Sequence, residues 1–177
     1  MKLLAFAASN SKKSINGQLI RYAVSLIGDT KAEILDLNDF EMPLFSVDRE
    51  QEWGIPELAH RFYKKIGEAE ALLISLAEHN GSYTVAFKNV YDWTSRIDSK
   101  VYQGKPLVLL ATSPGARGAS AVLASAVKSA PHYGANLKAS LSIPAFYKNF
   151  DTATGEISNP TIQKELETAL AIFLRED

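Results

Sequence analysis

The sequence predicts an α/β domain in which a parallel five-stranded sheet is covered by helices on both faces. Three observations carry that prediction. Apolar runs of strand length alternate with segments of helical period, five of each, along 177 residues. The runs Ala71–Leu76 and Pro106–Thr112 are almost continuously apolar, as strands buried on both faces are. Strands that alternate with helices in one chain pair in parallel through right-handed crossovers.

The elements follow in order. Lys2–Ala8 is the first strand. Asn16–Ile27 is the first helix, because Leu19, Ile20, Ala23, Val24 and Ile27 share one face. Lys31–Leu37 alternates as the second strand. Pro56 opens a helix at its first turn, with Leu58, Phe62 and Ile66 in one stripe. Ala71–Leu76 is the third strand, Tyr83–Ile97 a helix and Pro106–Thr112 the fourth strand. Ala119–Ala130 supplies Val122, Leu123, Ala126 and Val127 to a further helix, and Leu137–Ile143 is the fifth strand. Ile162, Leu166, Leu170 and Phe173 mark the last helix. No repeat, low-complexity stretch or linker interrupts the pattern, so residues 1–177 read as one domain, long enough to bury its own core. One long loop stands out, Asn38–Ile55, with Met42-Pro43-Leu44-Phe45 and Trp53. Such loops are commonly functional or interfacial, the alternative being an excursion whose aromatics tuck back onto the core.

Composition excludes several functions. Nineteen Lys and Arg against twenty Asp and Glu leave a formal charge of −1, which gives no footprint for nucleic acid or an anionic membrane. The absence of cysteine rules out disulfides, thiolate catalysis, iron–sulfur clusters and Cys-built zinc sites. His60, His79 and His132 lack metal-ligand spacing. The apolar start Leu3–Ala8 is too short to span a membrane and carries no secretory cleavage region, so the expected address is the cytoplasm.

In such a sheet, ligands bind beyond the carboxyl ends of the strands. After the first strand comes Ser9-Asn10-Ser11-Lys12-Lys13-Ser14-Ile15-Asn16. Hydroxyls and main-chain N–H groups at a helix N-terminus suit a phosphate, although Ser14 also reads as a plain N-cap. No Walker-type G-x-x-x-x-G-K-[ST] and no G-x-G-x-x-G is present, so a hydroxyl-built cradle points to flavin mononucleotide. After the third strand comes Ala77-Glu78-His79-Asn80-Gly81-Ser82. Its Asn-Gly step permits close backbone approach, and Ser82 is placed to cap the next helix. After the fourth comes Thr112-Ser113-Pro114-Gly115-Ala116-Arg117-Gly118-Ala119, where two glycines flank a cation. Three such loops at three ligand-facing positions form a stronger joint signal than any one.

These residues resemble the NADPH-dependent FMN reductases, a family of flavodoxin-like flavin, quinone, azo-dye and chromate reductases. The resemblance covers nearly the whole chain. Glu78-His79-Asn80-Gly81-Ser82, leading into Phe87-Lys88-Asn89-Val90-Tyr91-Asp92-Trp93, is similar to the family's P-E-Y-N-G-S followed by L-K-N-A-x-D-W. Ser9, Ser14 and Asn16 match its S-x-x-x-x-S-x-N phosphate loop, and Met42-Pro43-Leu44-Phe45 resembles its L-P-L-Y.

By that resemblance Ser9, Ser11, Ser14 and Asn16, with Ile15 between them, would hold the FMN phosphate. Glu78, His79, Asn80, Gly81 and Ser82 would line the isoalloxazine ring. Ser113, Pro114, Gly115, Ala116, Arg117 and Gly118 would make its remaining contacts. The resemblance also implies a flavodoxin-like three-layer sandwich of strand order 2-1-3-4-5. It implies a homodimer, able to pair into tetramers, built from the long loop and the helix that carries Asp92 and Trp93. The activity it implies is hydride transfer from NADPH or NADH to FMN N5, then to a small acceptor such as a flavin, quinone, azo compound or metal oxyanion. The chemistry would sit on FMN, with no catalytic side chain and no metal. Three positions depart from the pattern: Ser11 stands where arginine is common, Ala77 for proline and His79 for tyrosine. The first leaves the choice between NADPH and NADH open, since neither Lys12 nor Lys13 offers a bidentate fork.

The helix after Ser82 puts Phe87, Val90, Tyr91 and Thr94 on one face, with Val85 and Trp93 elsewhere, as in a helix that is buried or packs on a partner. Two other functions fit the same fold. A flavodoxin-type electron carrier would need an acidic docking face, for which Asp48, Glu50 and Glu52 are the local candidates. A cofactor-free interaction domain would take up no flavin.

Overall fold

The computed structural model describes residues 1–28 and 30–174. Its strands and helices run β1 Lys2–Ala8, α1 Ile15–Leu26, β2 Lys31–Leu35, α2 Val47–Trp53, α3 Glu57–Glu68, β3 Ala71–Leu76, β4 Glu78–His79, β5 Ser82–Tyr83 and α4 Val85–Thr94. There follow β6 Pro106–Thr112, α5 Ser120–Ser129, β7 Asn136–Ile143, α6 Phe146–Asn149, β8 Phe150–Asp151, β9 Glu156–Ile157 and α7 Pro160–Leu170. The main sheet has the order β2-β1-β3-β6-β7 with every pair parallel. Counted by sheet strands alone this is 2-1-3-4-5, the flavodoxin-like order.

Alternation along β1 explains the layers. Leu4, Phe6 and Ala8 point to one face and join Phe62 and Ile66 of α3, Val90 and Trp93 of α4, and Val122 and Ala126 of α5. Leu3 and Ala5 point to the other and join Leu19, Ile20 and Ala23 of α1 and Ile162, Leu166 and Leu170 of α7. All six residues of β3 are buried, as its unbroken apolar run requires. Phe62 anchors the first layer, with its ring edge-on to Phe6 at 5.7 Å and to Phe40 at 5.4 Å.

Several boundaries differ from the sequence expectation, and four of the differences have a clear local reason. β2 stops at Leu35 because Asp36 caps a 3-10 turn over Leu37–Phe40, its Oδ1 accepting from the Asn38 N–H at 2.9 Å. The stretch expected as one loop also contains α2, capped by Ser46. The helix expected from Tyr83 begins at Val85, because Asn80 (φ 53°) and Gly81 (φ 75°) fold β4 against β5 as a two-residue hairpin. Its N-cap is Thr84 rather than Ser82, with Oγ1 accepting from the Phe87 N–H and donating to the Ala8 carbonyl. Finally, Ala119 takes a left-handed φ of 62° and lies before α5.

The first half of the long loop tucks back onto the core, as one of its two readings expects. Met42 is buried, and the Asn89 amide is spent on this strap: its Nδ2 donates to the Met42 and Pro43 carbonyls and its Oδ1 accepts from the Phe45 N–H. Trp93 Nε1 donates to the Pro43 carbonyl at 2.7 Å, and the Phe45 ring lies edge-on to Trp93 at 5.0 Å. Leu44, Val47 and Trp53 face outward.

One buried polar group ties the layers together. Asn16, 2% exposed, accepts at Oδ1 from Ser75 Oγ of β3 (2.7 Å) and from the Thr112 N–H of β6 (3.2 Å), and its Nδ2 donates to the Thr112 carbonyl. Truncating it strands three buried groups, each costing about 1–3 kcal/mol when unpaired but partly relieved by relaxation. Asn16→Ala is therefore expected to lose about 2–4 kcal/mol, read as a lower urea midpoint at unchanged m-value.

Candidate functional site

The C-terminal ends of β1, β3 and β6 lie side by side in the sheet, so the three loops that follow them share one edge of the molecule. Strand register rather than any contact between the loops brings them together.

The first loop, Ser9 to Ser14, wraps the N-terminus of α1. Ser9 Oγ accepts from the Ser11 N–H and the Ser11 carbonyl accepts from the Ser14 N–H, which turns the chain tightly. Ser14 is the N-cap, its Oγ accepting from the Gly17 N–H at 3.2 Å. The hydroxyl hydrogens of Ser9 and Ser14 stay available as donors, and so do the N–H groups that open any helix. Ser9, Ser11, Lys12 and Ser14 line a cavity of about 150 Å³ shared with Arg21 and Asp36. Arg21 was not visible as a site residue in the sequence, because it lies well inside α1. Its guanidinium lies 3.6 Å from where a Cβ on Gly17 would stand, an ordinary van der Waals distance. Asn16 does not face this cavity, since its amide is committed to Ser75 and Thr112. Ile15 is half-buried and packs on the core with α1.

The second loop is the β4–β5 hairpin. His79, Asn80, Gly81 and Ser82 are exposed at its tip. Glu78 turns away from the tip, and its Oε2 accepts from the Val122 N–H of α5 at 2.9 Å. The preceding residue of α5, Ala119, offers no side-chain cap, so Glu78 caps that helix from another element and fixes the hairpin against it. His79 and Asn10 line a cavity of about 310 Å³ together with Met42, Asn89 and Val90. That volume lies at the lower end of the range of about 300–1,000 Å³ usual for ligand sites. Leu37 to Leu44 and Thr84 to Ala86 contribute to its walls. The sequence signal for them was the length of the loop after β2.

The third loop, Ser113 to Gly118, is held from behind. The Ser113 and Gly115 carbonyls accept from the Phe146 and Ala145 N–H groups, and Ser142 Oγ donates to the Gly118 carbonyl. Gly118 has no room for a side chain, since a Cβ would lie 2.6 Å from Ser142 Oγ and 2.8 Å from the Pro144 nitrogen. Pro114, Gly115, Ala116 and Arg117 are exposed, and a Cβ on Gly115 would make only an ordinary contact with Ser113 Oγ at 3.9 Å. This loop borders neither cavity described above.

Main-chain donors recur in all three loops. Among the described residues, the N–H groups of Asn10, Lys12, Asn80, Gly81, Gly115, Ala116 and Arg117 donate to no protein acceptor. Exposed donors with a helix N-terminus make an anion-favouring rim. Trp93 takes no part in any surface, being fully buried, and Asp92 is paired with Lys88 at 2.6 Å. Among the described residues, no group of side chains could hold a metal ion, and no helix is long and apolar enough to cross a membrane.

The family model described as NADPH-dependent FMN reductase matches residues 1–147. A 2-hydroxy-1,4-benzoquinone reductase of a Burkholderia species is 34% identical over 120 residues, 67% of this chain and 63% of that protein. An NAD(P)H-dependent FMN reductase of Pseudomonas aeruginosa is 31% identical over 119 residues, again 67% of this chain and 63% of that protein. The match thus spans less than two thirds of the length of these relatives. Among solved structures, the flavoenzyme NAD(P)H:(acceptor) oxidoreductase of Paracoccus denitrificans superposes with a TM-score of 0.77 at 24% identity, covering 98% of this chain and 94% of that one. With the model matched from the first strand through the third loop, the chain belongs to the NADPH-dependent FMN reductase family.

Proposed function

We propose that residues 1–177 form one FMN-binding domain that works as an NAD(P)H-dependent oxidoreductase toward a small acceptor, with a quinone as the best-supported class. The observation that carries this reading is the set of unpaired main-chain donors on the three loops that follow β1, β3 and β6 at one edge of the sheet. The residues present fit FMN. Ser9, Ser11 and Ser14 offer hydroxyls at the α1 N-terminus, where the helix dipole and the Lys12 and Arg21 charges favour a phosphate dianion. Asn80 and Gly81 offer N–H groups to the polar edge of the ring, and Gly115 to Arg117 offer a second set. Bound FMN supplies the two-electron chemistry, accepting hydride from NADPH or NADH and passing reducing equivalents to the acceptor. The protein's part is to hold and orient, with N–H groups favouring negative charge on the ring as it is reduced. Leu44 and Val85 add apolar surface to the cavity lining and are themselves exposed.

Asn16 acts in this scheme through position alone, by fixing the α1 N-terminus to β3 and β6. Glu78 does the same by fixing the hairpin to α5. The electron-carrier reading loses support on one observation: Glu50, central to the acidic candidates on α2, is paired with Arg96 at 2.9 Å. The proposal includes a cytoplasmic address, where nicotinamide donors are held, and a homodimer. Leu44, Val47, Trp53 and Val85 support the dimer, as large apolar side chains exposed on the strap, α2 and the start of α4.

Three expected outcomes test this reading. Purified protein given FMN and desalted is expected to keep flavin absorbance that bleaches anaerobically with NADPH or NADH. Retained peaks that neither donor bleaches would favour the carrier, and no retained flavin would overturn FMN binding. Gly81→Val forces a β-branched residue into a positive φ at the hairpin tip, where the strain is about 1–2 kcal/mol. FMN affinity should fall at least tenfold with far-UV circular dichroism unchanged, and stoichiometric flavin in the variant would sink the hairpin's assignment. Trp53→Glu should shift a dimeric species toward monomer in sedimentation equilibrium.

A further inference from the structure

Outside the candidate site, a cavity of about 200 Å³ lies between α4 and α5. Tyr83, Phe87, Tyr91, Tyr102 and Tyr133 form its walls. The rings meet one another at 5.1–5.8 Å, Tyr91 standing nearly edge-on to Tyr133. Tyr91 is 9% exposed, and its hydroxyl is the one buried side-chain polar atom without a hydrogen-bond partner among the described residues. Among the same residues, the hydroxyls of Tyr83, Tyr102 and Tyr133 donate to no protein acceptor. Burial pushes the Tyr91 and Tyr102 phenols well above the ordinary tyrosine range, so they stay protonated donors.

A buried phenol without a partner costs about 1–3 kcal/mol, and structures seldom keep one without a compensating ligand or water. The mouth of the cavity is electrically closed, because Lys88 and Asp92 are paired there at 2.6 Å. That pairing disfavours a charged occupant. Five ring walls favour a planar one, since flat rings bury face and edge against them. Apolar cavities of about 150 Å³ already admit a benzene-sized ring.

We infer that this tyrosine-lined cavity is a second binding site, taking a neutral single-ring aromatic whose carbonyl oxygen accepts the Tyr91 hydroxyl proton in a hydrogen bond. It is separate from the flavin-facing cavity, with which it shares no residue. Tyr83 connects the two, because it ends the hairpin whose tip is exposed at the candidate site. Occupancy therefore bears on the back of that hairpin.

Acetophenone, with one ring and one carbonyl and no charge, is a suitable probe. Titrated into the full chain, with and without FMN, it is expected to shift the ring resonances of Tyr83, Tyr91, Tyr102 and Tyr133 saturably. Tyr91→Phe keeps the ring and should weaken binding about tenfold. Ser125→Phe, at the exposed lip, should abolish it by filling the cavity, while FMN retention stays at the wild-type level in both variants. Three results would overturn the inference: no saturation, shifts mapping to Asn10 and His79 instead, or equal affinity in wild type and both variants. Binding that vanishes as the protein dimerises would assign the cavity to a second copy of the chain and would also overturn it. Because the probe is read on apo protein too, failure of this site and failure of FMN binding are seen separately.

Discussion

The Asn16 amide holds together the edge that carries the three candidate loops. It lies at the first turn of α1 and reaches both β3 and β6, crossing the strand order with hydrogen bonds that no ladder could make. Its partners, Ser75 and Thr112, are themselves buried, and Thr112 continues the chain of bonds to the Ile143 carbonyl of β7. Buried networks of this kind are costly when incomplete and specifying when every member is satisfied. Here it fixes where the α1 N-terminus ends relative to the strands, and so where three loops can meet one ligand.

A second device works on the same edge. Glu78 belongs to the hairpin but serves as the missing cap of α5, so the hairpin cannot lift without uncapping a helix. Thr84 works likewise toward β1, capping α4 while bonding the Ala8 carbonyl. The exposed tip is therefore carried on a base with buried polar anchors on both sides. Rigid support with an exposed backbone tip is what positioning a planar cofactor requires.

The fold was legible because its signals are periodic. Leu3, Leu4, Ala5 and Phe6 in succession, and the unbroken run in β3, cannot be read as anything but strands buried on two faces, and the alternation with helices fixes parallel pairing. Boundaries were less legible where chemistry at one residue decides them, as with Asp36 ending β2 and the Asn-Gly step turning what looked like a helix start into a hairpin. Within the candidate site, residue types were legible and side-chain directions were not. Asn16 and Glu78 stand in the right loops by sequence pattern, yet the structure turns both inward to hold those loops. Trp93 looked like a partner-facing residue, but Asn89, Pro43 and Phe45 enclose it, and that enclosure depends on a strap distant in sequence. Arg21 was hidden because it lies well inside α1, and only the folded chain brings its side chain to the cavity lined by Ser9, Ser11 and Ser14.

The third loop has two unlike halves. Gly118 is wedged against Ser142 and Pro144, where any side chain would push on the end of β7, whereas a Cβ on Gly115 would meet only Ser113 Oγ at an ordinary 3.9 Å. Evolutionary change in this loop is thus channelled. The half anchored to β7 is closed to variation at almost any level of selection, and the outward half can exchange residues with little damage to folding. Divergence between descendants of this chain has its least obstructed route in this loop through Pro114 to Arg117.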